Sequence, residues 1–255
     1  VAMGVISEAG YIGLIVRPVL RDQLRTAQPI DPPLTQAAFM GFYLPLVMTS
    51  LIMLLVNPIG SAAMGRMPSP VESLAVWQVL GGLIFMIRSL GVAYNEVVVA
   101  LLDEKGSARV LQRFATILVS CLTVLWILLV TTPLANIWFT RIMALDPQLA
   151  QMAQIGAWFA IPLPAMAVLQ SWYQGSILYS RRTGAITEAV VIYLLFNVIT
   201  LVIGIIWGKT TGLFIGLGSL VLSSLIQTFW LWLRSRSTLV KVHAPDASPA
   251  RMDGV

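Results

Sequence analysis

The chain has 255 residues, of which 58% are hydrophobic and only 11% are charged, and its formal net charge at pH 7 is +5. A soluble domain carries about 25% charged residues, so this composition excludes a water-soluble globular protein and indicates helices that lie in lipid. The positive charge does not indicate a nucleic-acid-binding protein. The Lys and Arg residues stand in short runs between apolar segments, where they act as topology signals.

The cysteine and histidine content excludes several kinds of site. Cys121 is the only cysteine in the sequence, so it forms no intrachain disulfide, and we interpret it as a small hydrophobic residue in a helix. His243 is the only histidine. One histidine supplies neither a histidine metal site nor a Ser–His–Asp triad, and the sequence has no glycine-rich phosphate loop. We therefore predict no catalytic residue, no metal site and no cofactor, and we expect that the protein is not an enzyme.

The beginning of the chain predicts a helix end followed by a linker. Residues 1–16 are apolar but too few for a membrane span, which takes about 20 helical residues. They also lack the basic start of a signal peptide. We interpret them as the end of a truncated transmembrane helix. Residues 17–36 predict a polar linker, because they contain four prolines that exclude a continuous helix: Pro18, Pro29, Pro32 and Pro33.

Six apolar segments follow the linker, and each is long enough to cross a membrane. The predicted spans are residues 37–64, 72–102, 110–131, 148–178, 184–207 and 210–233. Residues 234–255 are polar, contain two prolines and are predicted to form a disordered tail. The predicted fold class is therefore all-α. It is a polytopic transmembrane helix bundle of six spans, residues 37–233, preceded by the end of another helix.

The distribution of Lys and Arg residues predicts the orientation of this bundle. The side of the linker and the tail holds Arg17, Arg21, Arg25, Lys105, Arg109, Arg113, Arg181, Arg182, Arg234, Arg236, Lys241 and Arg251. The opposite side holds only Arg66, Arg141 and Lys209. Because cytoplasmic segments are enriched in basic residues, we predict a multi-pass protein of the cell membrane whose linker and tail are cytoplasmic.

The second span, residues 72–102, carries polar residues at an unfavourable depth. It is about 31 residues long, or ~46 Å if fully helical. Arg88 lies near its midpoint, where an arginine costs at least about 2.5 kcal/mol on insertion scales. Asn95 shares a helix face with Arg88, and Glu96 lies about 80° round from it. We interpret the three as substrate-binding residues in a water-filled cavity. The alternative is a structural arginine that caps carbonyl groups where the glycines of this span distort the helix.

The fourth span, residues 148–178, has Pro162 and Pro164 at its centre, and these two prolines predict a helix break. Gln170 and Gln174 are four residues apart and share one face. We predict that they line the same cavity as Arg88. The alternative role of the two glutamines is interhelical hydrogen bonding.

Other polar residues in the spans give weaker signals. Asn57 and Pro58 predict a second helix break, in the first span. Asn197 in the fifth span and Gln227 in the sixth are interpreted as helix-packing residues, because polar side chains in transmembrane helices commonly bond to neighbouring helices.

The first span carries a family resemblance. It contains FYLPL at 42–46, NPIGSAA at 57–63 and RMP at 66–68. This pattern resembles the opening helix of a lobe in the multidrug/oligosaccharidyl-lipid/polysaccharide flippase superfamily. It is most similar to the progressive-ankylosis-type branch and its bacterial relatives, over most of residues 1–235. The resemblance implies a MATE-like exporter of two six-helix lobes. This chain would be the C-terminal lobe, with the N-terminal lobe of the same protein as its partner.

The resemblance implies a secondary-active transporter or flippase that exports a small-molecule or lipid-linked substrate by alternating access. Arg88 favours an anionic substrate, because the arginine side chain presents a fork of hydrogen-bond donors. The lipid bilayer is a further predicted partner, and nucleic acid is not. The alternative function is a non-transporting membrane scaffold, whose polar residues hold helices together, or a dimerising half-transporter.

Overall fold

A computed structural model describes residues 2–18, 21, 35–102, 107–179 and 184–243. These residues are overwhelmingly helical and include no β-strand, so the predicted all-α class is confirmed. The helices are α1 Ala2–Pro18, α2 Gln36–Met64, α3 Pro70–Leu101, α4 Ser107–Thr131, α5 Leu134–Ile137, α6 Pro147–Phe159, α7 Leu163–Tyr179, α8 Gly184–Trp207 and α9 Gly212–His243. A π-helical turn, Trp138–Ile142, follows α5.

Several predicted features lie outside the described residues. They are most of the linker, the end of the tail (residues 244–255), and the basic residues Arg25, Lys105, Arg181, Arg182 and Arg251.

The beginning of the predicted tail differs from the prediction. Residues 234–243 are helical rather than disordered, since α9 continues to His243. Side-chain contacts hold the first residues of this extension: Arg234 pairs with Glu188, and the Arg236 guanidinium lies 3.5 Å from the centroid of the Trp232 ring. These contacts stabilise the helix at residues 234–236.

Five helices are long and apolar enough to cross a membrane, by length and composition. They are Val47–Met64 of α2, the whole of α3, α4 and α8, and Gly212–Arg236 of α9. Together, α6 and α7 make a sixth, which bends by 41° at a short break. Large apolar side chains on these helices are exposed, among them Phe85 at 73% and Ile206 at 80%. Lipid accepts such surfaces and water does not, so the helices indicate a multi-pass membrane protein.

The chain divides into two compact units, Val1–Tyr43 and Leu44–Val255. The first unit contains α1, on which every described side chain is exposed. It also contains the first turns of α2, where Phe39 and Tyr43 stack with ring centroids 5.3 Å apart. The second unit contains the rest of α2 and all the later helices.

The core of the second unit is built around α3, which packs against α4, α6, α7 and α9. Two buried aromatic side chains fix α4 in place. The Tyr94 hydroxyl on α3 donates a hydrogen bond to the carbonyl of Leu111 at 2.8 Å, and the Trp126 indole on α4 donates to the carbonyl of Ala157 at 3.0 Å. Their polar atoms are therefore satisfied inside the bundle, as buried polar groups in a membrane must be.

The most extensive helix contact in the described part of the chain joins α3 and α7, which carry the polar residues of the second and fourth predicted spans. A Cβ atom added at Gly91 would lie 3.1 Å from the Cβ of Ala167. One added at Gly175 would lie 2.5 Å from the Cγ1 of Val98. Glycine at both positions lets the backbones approach closely, as small residues do at membrane helix interfaces.

The bend between α6 and α7 lies at the position of the predicted break. The Ala160 N–H donates to the carbonyl of Ala157 at 3.2 Å, and the Leu163 N–H donates to that of Ala160 at 3.0 Å. These bonds span three residues instead of four, which marks a tight turn. Pro162 and Pro164 contribute no N–H donors here.

The predicted break at Asn57 and Pro58 is wrong, because α2 runs through both residues without interruption. A single proline removes one donor and leaves the neighbouring turns bonded, whereas two prolines two residues apart remove two donors from the same turn. One proline is thus compatible with a continuous helix at this position.

The α3–α7 contact leads to a first prediction. Gly175→Ala should lower the thermal unfolding midpoint of the detergent-solubilised protein, because overpacking a tight contact costs about 1–3 kcal/mol. The matched control is Gly82→Ala on α3, where an added Cβ meets nothing within 4 Å. This change should leave the midpoint unaltered or raise it, since alanine favours a helix over glycine by roughly 0.5–1 kcal/mol. Equal effects of the two substitutions would contradict the close approach of α3 and α7.

Candidate functional site

Buried polar side chains gather where α8 packs against α9. They are Tyr193 and Asn197 on α8, with Ser219, Ser223 and Gln227 on α9. Successive members on each helix are four residues apart, so they share one face. We call these five residues, together with Arg88 of α3, the interior polar cluster.

Contacts along α8 and α9 show how the cluster is aligned. Asn197 Nδ2 donates to Ser219 Oγ at 3.1 Å. At the other end of the pair, Ile186 and Leu231 share one hydrophobic cluster, so the two helices run antiparallel. A step of one turn back along α8, from Asn197 to Tyr193, is therefore matched by a step of one turn forward along α9, from Ser219 to Ser223. Tyr193 lies level with Ser223, and Gln227 follows one turn further along α9.

Arg88 reaches this cluster from α3. Its guanidinium lies in the neighbourhood of the Tyr193 side chain. Its Nε atom is buried and has no hydrogen-bond partner among the described residues. At 1.5 Å per residue, Arg88 lies about 27 Å from the beginning of α3 and about 20 Å from its end. A guanidinium near the middle of a span with an unpaired Nε is a costly arrangement.

Three further atoms of the cluster are buried without a partner in the described part of the chain. They are Asn197 Oδ1, Ser223 Oγ and Gln227 Nε2. The cluster therefore has unused donors on Arg88, Ser223 and Gln227 and an unused acceptor on Asn197. Buried polar groups without a protein partner are normally satisfied by water or by a ligand. The excess of donors, with one fixed positive charge, suits a polar ligand that carries negative charge.

The other predicted site residues of α3 lie apart from the cluster. Asn95 is at the α3–α7 contact, with its Oδ1 3.2 Å from where a Cβ of Gly175 would be. That Oδ1 atom is buried and has no described partner. Glu96 is exposed. Of the three residues predicted on this span, only Arg88 thus belongs to the cluster.

The two predicted glutamines lie on α7. Gln170 is buried, and its Nε2 donates to the carbonyl of Ser224 at 3.2 Å and to Thr228 Oγ1 at 3.1 Å, both on α9. This is the packing role that the sequence left open as an alternative. Gln174 is half-buried, one turn further along α7. The five predicted residues therefore occupy different helix contacts and do not line one described pocket.

Sequence reasoning missed most of the cluster. It gave Asn197 and Gln227 a packing role and did not single out Tyr193, Ser219 or Ser223. The available signal was spacing, since polar residues recur every four positions on the facing sides of two consecutive spans.

A groove lies between α2, α8 and α9, with a volume of about 690 Å³. We call it the α2–α8–α9 groove. Its lining is Leu44, Met48, Gly184, Thr187, Glu188, Val191, Ile192, Trp230 and Arg234. None of the five residues predicted to bind substrate lines it. The groove and the interior polar cluster are therefore separate features.

Comparison of the chain with protein-family models, with characterised proteins and with solved structures finds no match. The resemblance to the flippase superfamily stays a prediction, and the site rests on geometry. Within the described residues, no group of three or more His, Cys, Asp or Glu side chains is placed to hold a metal ion.

The hydrogen bonds of Gln170 lead to a second prediction. Gln170→Leu should lower the unfolding midpoint, because it removes the link between α7 and α9. Interhelical hydrogen bonds in membranes contribute about 0.6 kcal/mol on average and at most about 1.7 kcal/mol. Gln174→Leu, on the same helix face, is the matched control and should have a smaller effect. A larger loss in the control than in Gln170→Leu would refute the assignment of Gln170 as the link.

Proposed function

We propose that this chain is a lobe of a secondary-active membrane transporter or flippase of the MATE-like kind. The lobe moves an anionic solute or an anionic headgroup across the membrane by alternating access. The single observation that carries the proposal is the interior polar cluster, in which the buried Nε of the half-buried Arg88 and several other buried polar atoms have no partner among the described residues.

The energetics of Arg88 favour a binding role over a packing role. A residue that only packs helices does not need a positive charge, and an apolar side chain of similar volume would avoid the insertion cost of about 2.5–3.5 kcal/mol. An anionic substrate offsets that cost while it is bound, because the guanidinium fork and neighbouring N–H and O–H donors make charge-assisted hydrogen bonds to it.

The bend between α6 and α7 supports a transport mechanism in which helices move. A broken helix at membrane depth is tolerated only beside protein or a cavity, and broken helices are common in transporters. Because α7 packs tightly on α3 through Gly91 and Gly175, we infer that a change in the bend moves the helix that carries Arg88. Such coupling would open the interior polar cluster to one side of the membrane at a time.

One observation favours the alternative function, a non-transporting scaffold. Gln170 links α7 to α9 through two hydrogen bonds, which is how a scaffold uses its polar residues. The two functions differ in whether water reaches the interior. A transporter must admit water to its binding site, whereas a scaffold keeps its helix interfaces dry.

Cysteine labelling measures that access and gives the third prediction. In a Cys121→Ser background, Ser223→Cys should react with a charged, membrane-impermeant thiol reagent applied to intact cells and to inverted vesicles. The control is Leu222→Cys, the neighbouring residue on the exposed, lipid-facing side of α9. Because only the thiolate reacts and lipid suppresses ionisation, we expect Ser223→Cys to react at least about tenfold faster than the control.

Protection by an added anion would extend this test. Inorganic phosphate and citrate are suitable probes, and either one should slow the labelling of Ser223→Cys while sodium chloride at equal ionic strength should not. If Ser223→Cys is as inert as Leu222→Cys from both sides of the membrane, the interior is dry and the transporter proposal fails in favour of the scaffold.

A further inference from the structure

The α2–α8–α9 groove has apolar walls and a charged end. Leu44, Met48 and Val191 line it and are 56%, 43% and 47% exposed. In a membrane helix bundle such side chains face lipid, so the groove opens toward the acyl chains of the bilayer. Its volume of about 690 Å³ lies within the range of about 300–1,000 Å³ typical of small-molecule sites.

The charged end of the groove is an ion pair. Arg234 donates from Nε to Glu188 Oε2 at 3.0 Å and from Nη2 to the same oxygen. The guanidinium carbon of Arg234 also lies 5.4 Å from the centroid of the Trp230 ring. Glu188 is in the second turn of α8, and Arg234 is near the end of the apolar part of α9. The pair therefore lies at the end of the spans, which is the depth of lipid headgroups and of interfacial aromatic residues.

The ion pair leaves one donor and one acceptor unused. Both hydrogen bonds end on Glu188 Oε2, so Glu188 Oε1 and Arg234 Nη1 have no partner among the described residues. The two side chains are 45% and 48% exposed. They present a negative and a positive group side by side. A ligand that complements them carries a cationic N–H donor next to an anionic oxygen acceptor.

From this geometry we propose that the groove binds one phospholipid with a primary-amine headgroup, of the phosphatidylethanolamine type. The lipid phosphate accepts a hydrogen bond from Arg234 Nη1, and its ammonium group donates to Glu188 Oε1. One acyl chain lies along the apolar wall formed by Leu44, Met48 and Val191. The inference does not depend on the proposed transport function, because it concerns a different surface from the interior polar cluster.

The choice of headgroup follows from hydrogen bonding and charge. A choline headgroup has the same charges but no N–H donor, so it makes no hydrogen bond to Glu188. A glycerol headgroup has the phosphate but no positive charge, and it leaves the carboxylate beside a net negative ligand. Only the primary amine satisfies both unused atoms of the pair.

Native mass spectrometry of the full chain tests the proposal and gives the fourth prediction. The protein in detergent micelles is mixed with equal amounts of phosphatidylethanolamine, phosphatidylcholine and phosphatidylglycerol that carry identical acyl chains. We expect phosphatidylethanolamine to be bound about fivefold more than either of the others, as one charge-assisted hydrogen bond at an exposed site would give. This comparison requires no variant. An equal distribution of the three lipids, or a preference for phosphatidylglycerol, would overturn the proposal.

Two pairs of variants separate the headgroup contact from the groove. Glu188→Gln should reduce the ratio of bound phosphatidylethanolamine to phosphatidylcholine to about one, whereas Arg236→Gln, which lies off the groove lining, should leave the ratio unchanged. Val191→Trp should fill the groove and reduce the binding of all three lipids, whereas Leu195→Trp, exposed on the same helix, should not.

Two results with the variants would refute the phospholipid site. One is a headgroup preference that persists in Glu188→Gln, because the carboxylate would then have no part in recognition. The other is a change in oligomeric state in Val191→Trp with lipid binding intact, because the groove would then be a contact between two copies of the chain.

Discussion

The position of Arg88 is the constraint on which the account depends. In the hydrocarbon core of a membrane, every polar group must find a partner inside the protein, in trapped water or in a ligand. Some buried polar groups here meet that condition directly, as the hydroxyl of Tyr94 and the indole of Trp126 do. The Nε atom of Arg88 does not, and the helices α8 and α9 add further buried polar atoms without a described partner: Asn197 Oδ1, Ser223 Oγ and Gln227 Nε2. The interior polar cluster is therefore an arrangement that a purely structural bundle would avoid.

The packing of the helices holds this cluster in place. Glycines bring α3 and α7 into close contact, and Gln170 ties α7 to α9. Because α3, α7 and α9 each contact the other two, the helix with Arg88 packs beside the helix with Ser223 and Gln227. The bend between α6 and α7 lies at the beginning of α7, which is one of these three helices. A change in this bend would move α7 and the helices packed on it, and so change the exposure of the cluster without unfolding the bundle.

Local sequence patterns, such as hydrophobic length and proline positions, predicted much of the fold and little of the site. Span positions follow from hydrophobic length, and the bend follows from two prolines in one turn, so both are readable from sequence. The neighbours of each helix cannot be predicted from the sequence in this way. Nothing in the sequence pairs Gln170 with Thr228, or brings Arg88 near Tyr193, because the neighbours of a side chain depend on which spans meet in three dimensions. The interruption predicted at Pro58 failed for a related reason, since the effect of a single proline depends on the surrounding turns.

The most direct test of the central claim is the stability of Arg88→Met. If Arg88 is kept for a ligand, removing its charge relieves an insertion cost of about 2.5 kcal/mol, and the thermal unfolding midpoint of the ligand-free protein should rise. Arg88→Lys, which keeps the charge, should show no such rise. A clearly lower midpoint for Arg88→Met would contradict the account, because it would mean that the arginine holds the helices together and that the interior polar cluster is a packing device.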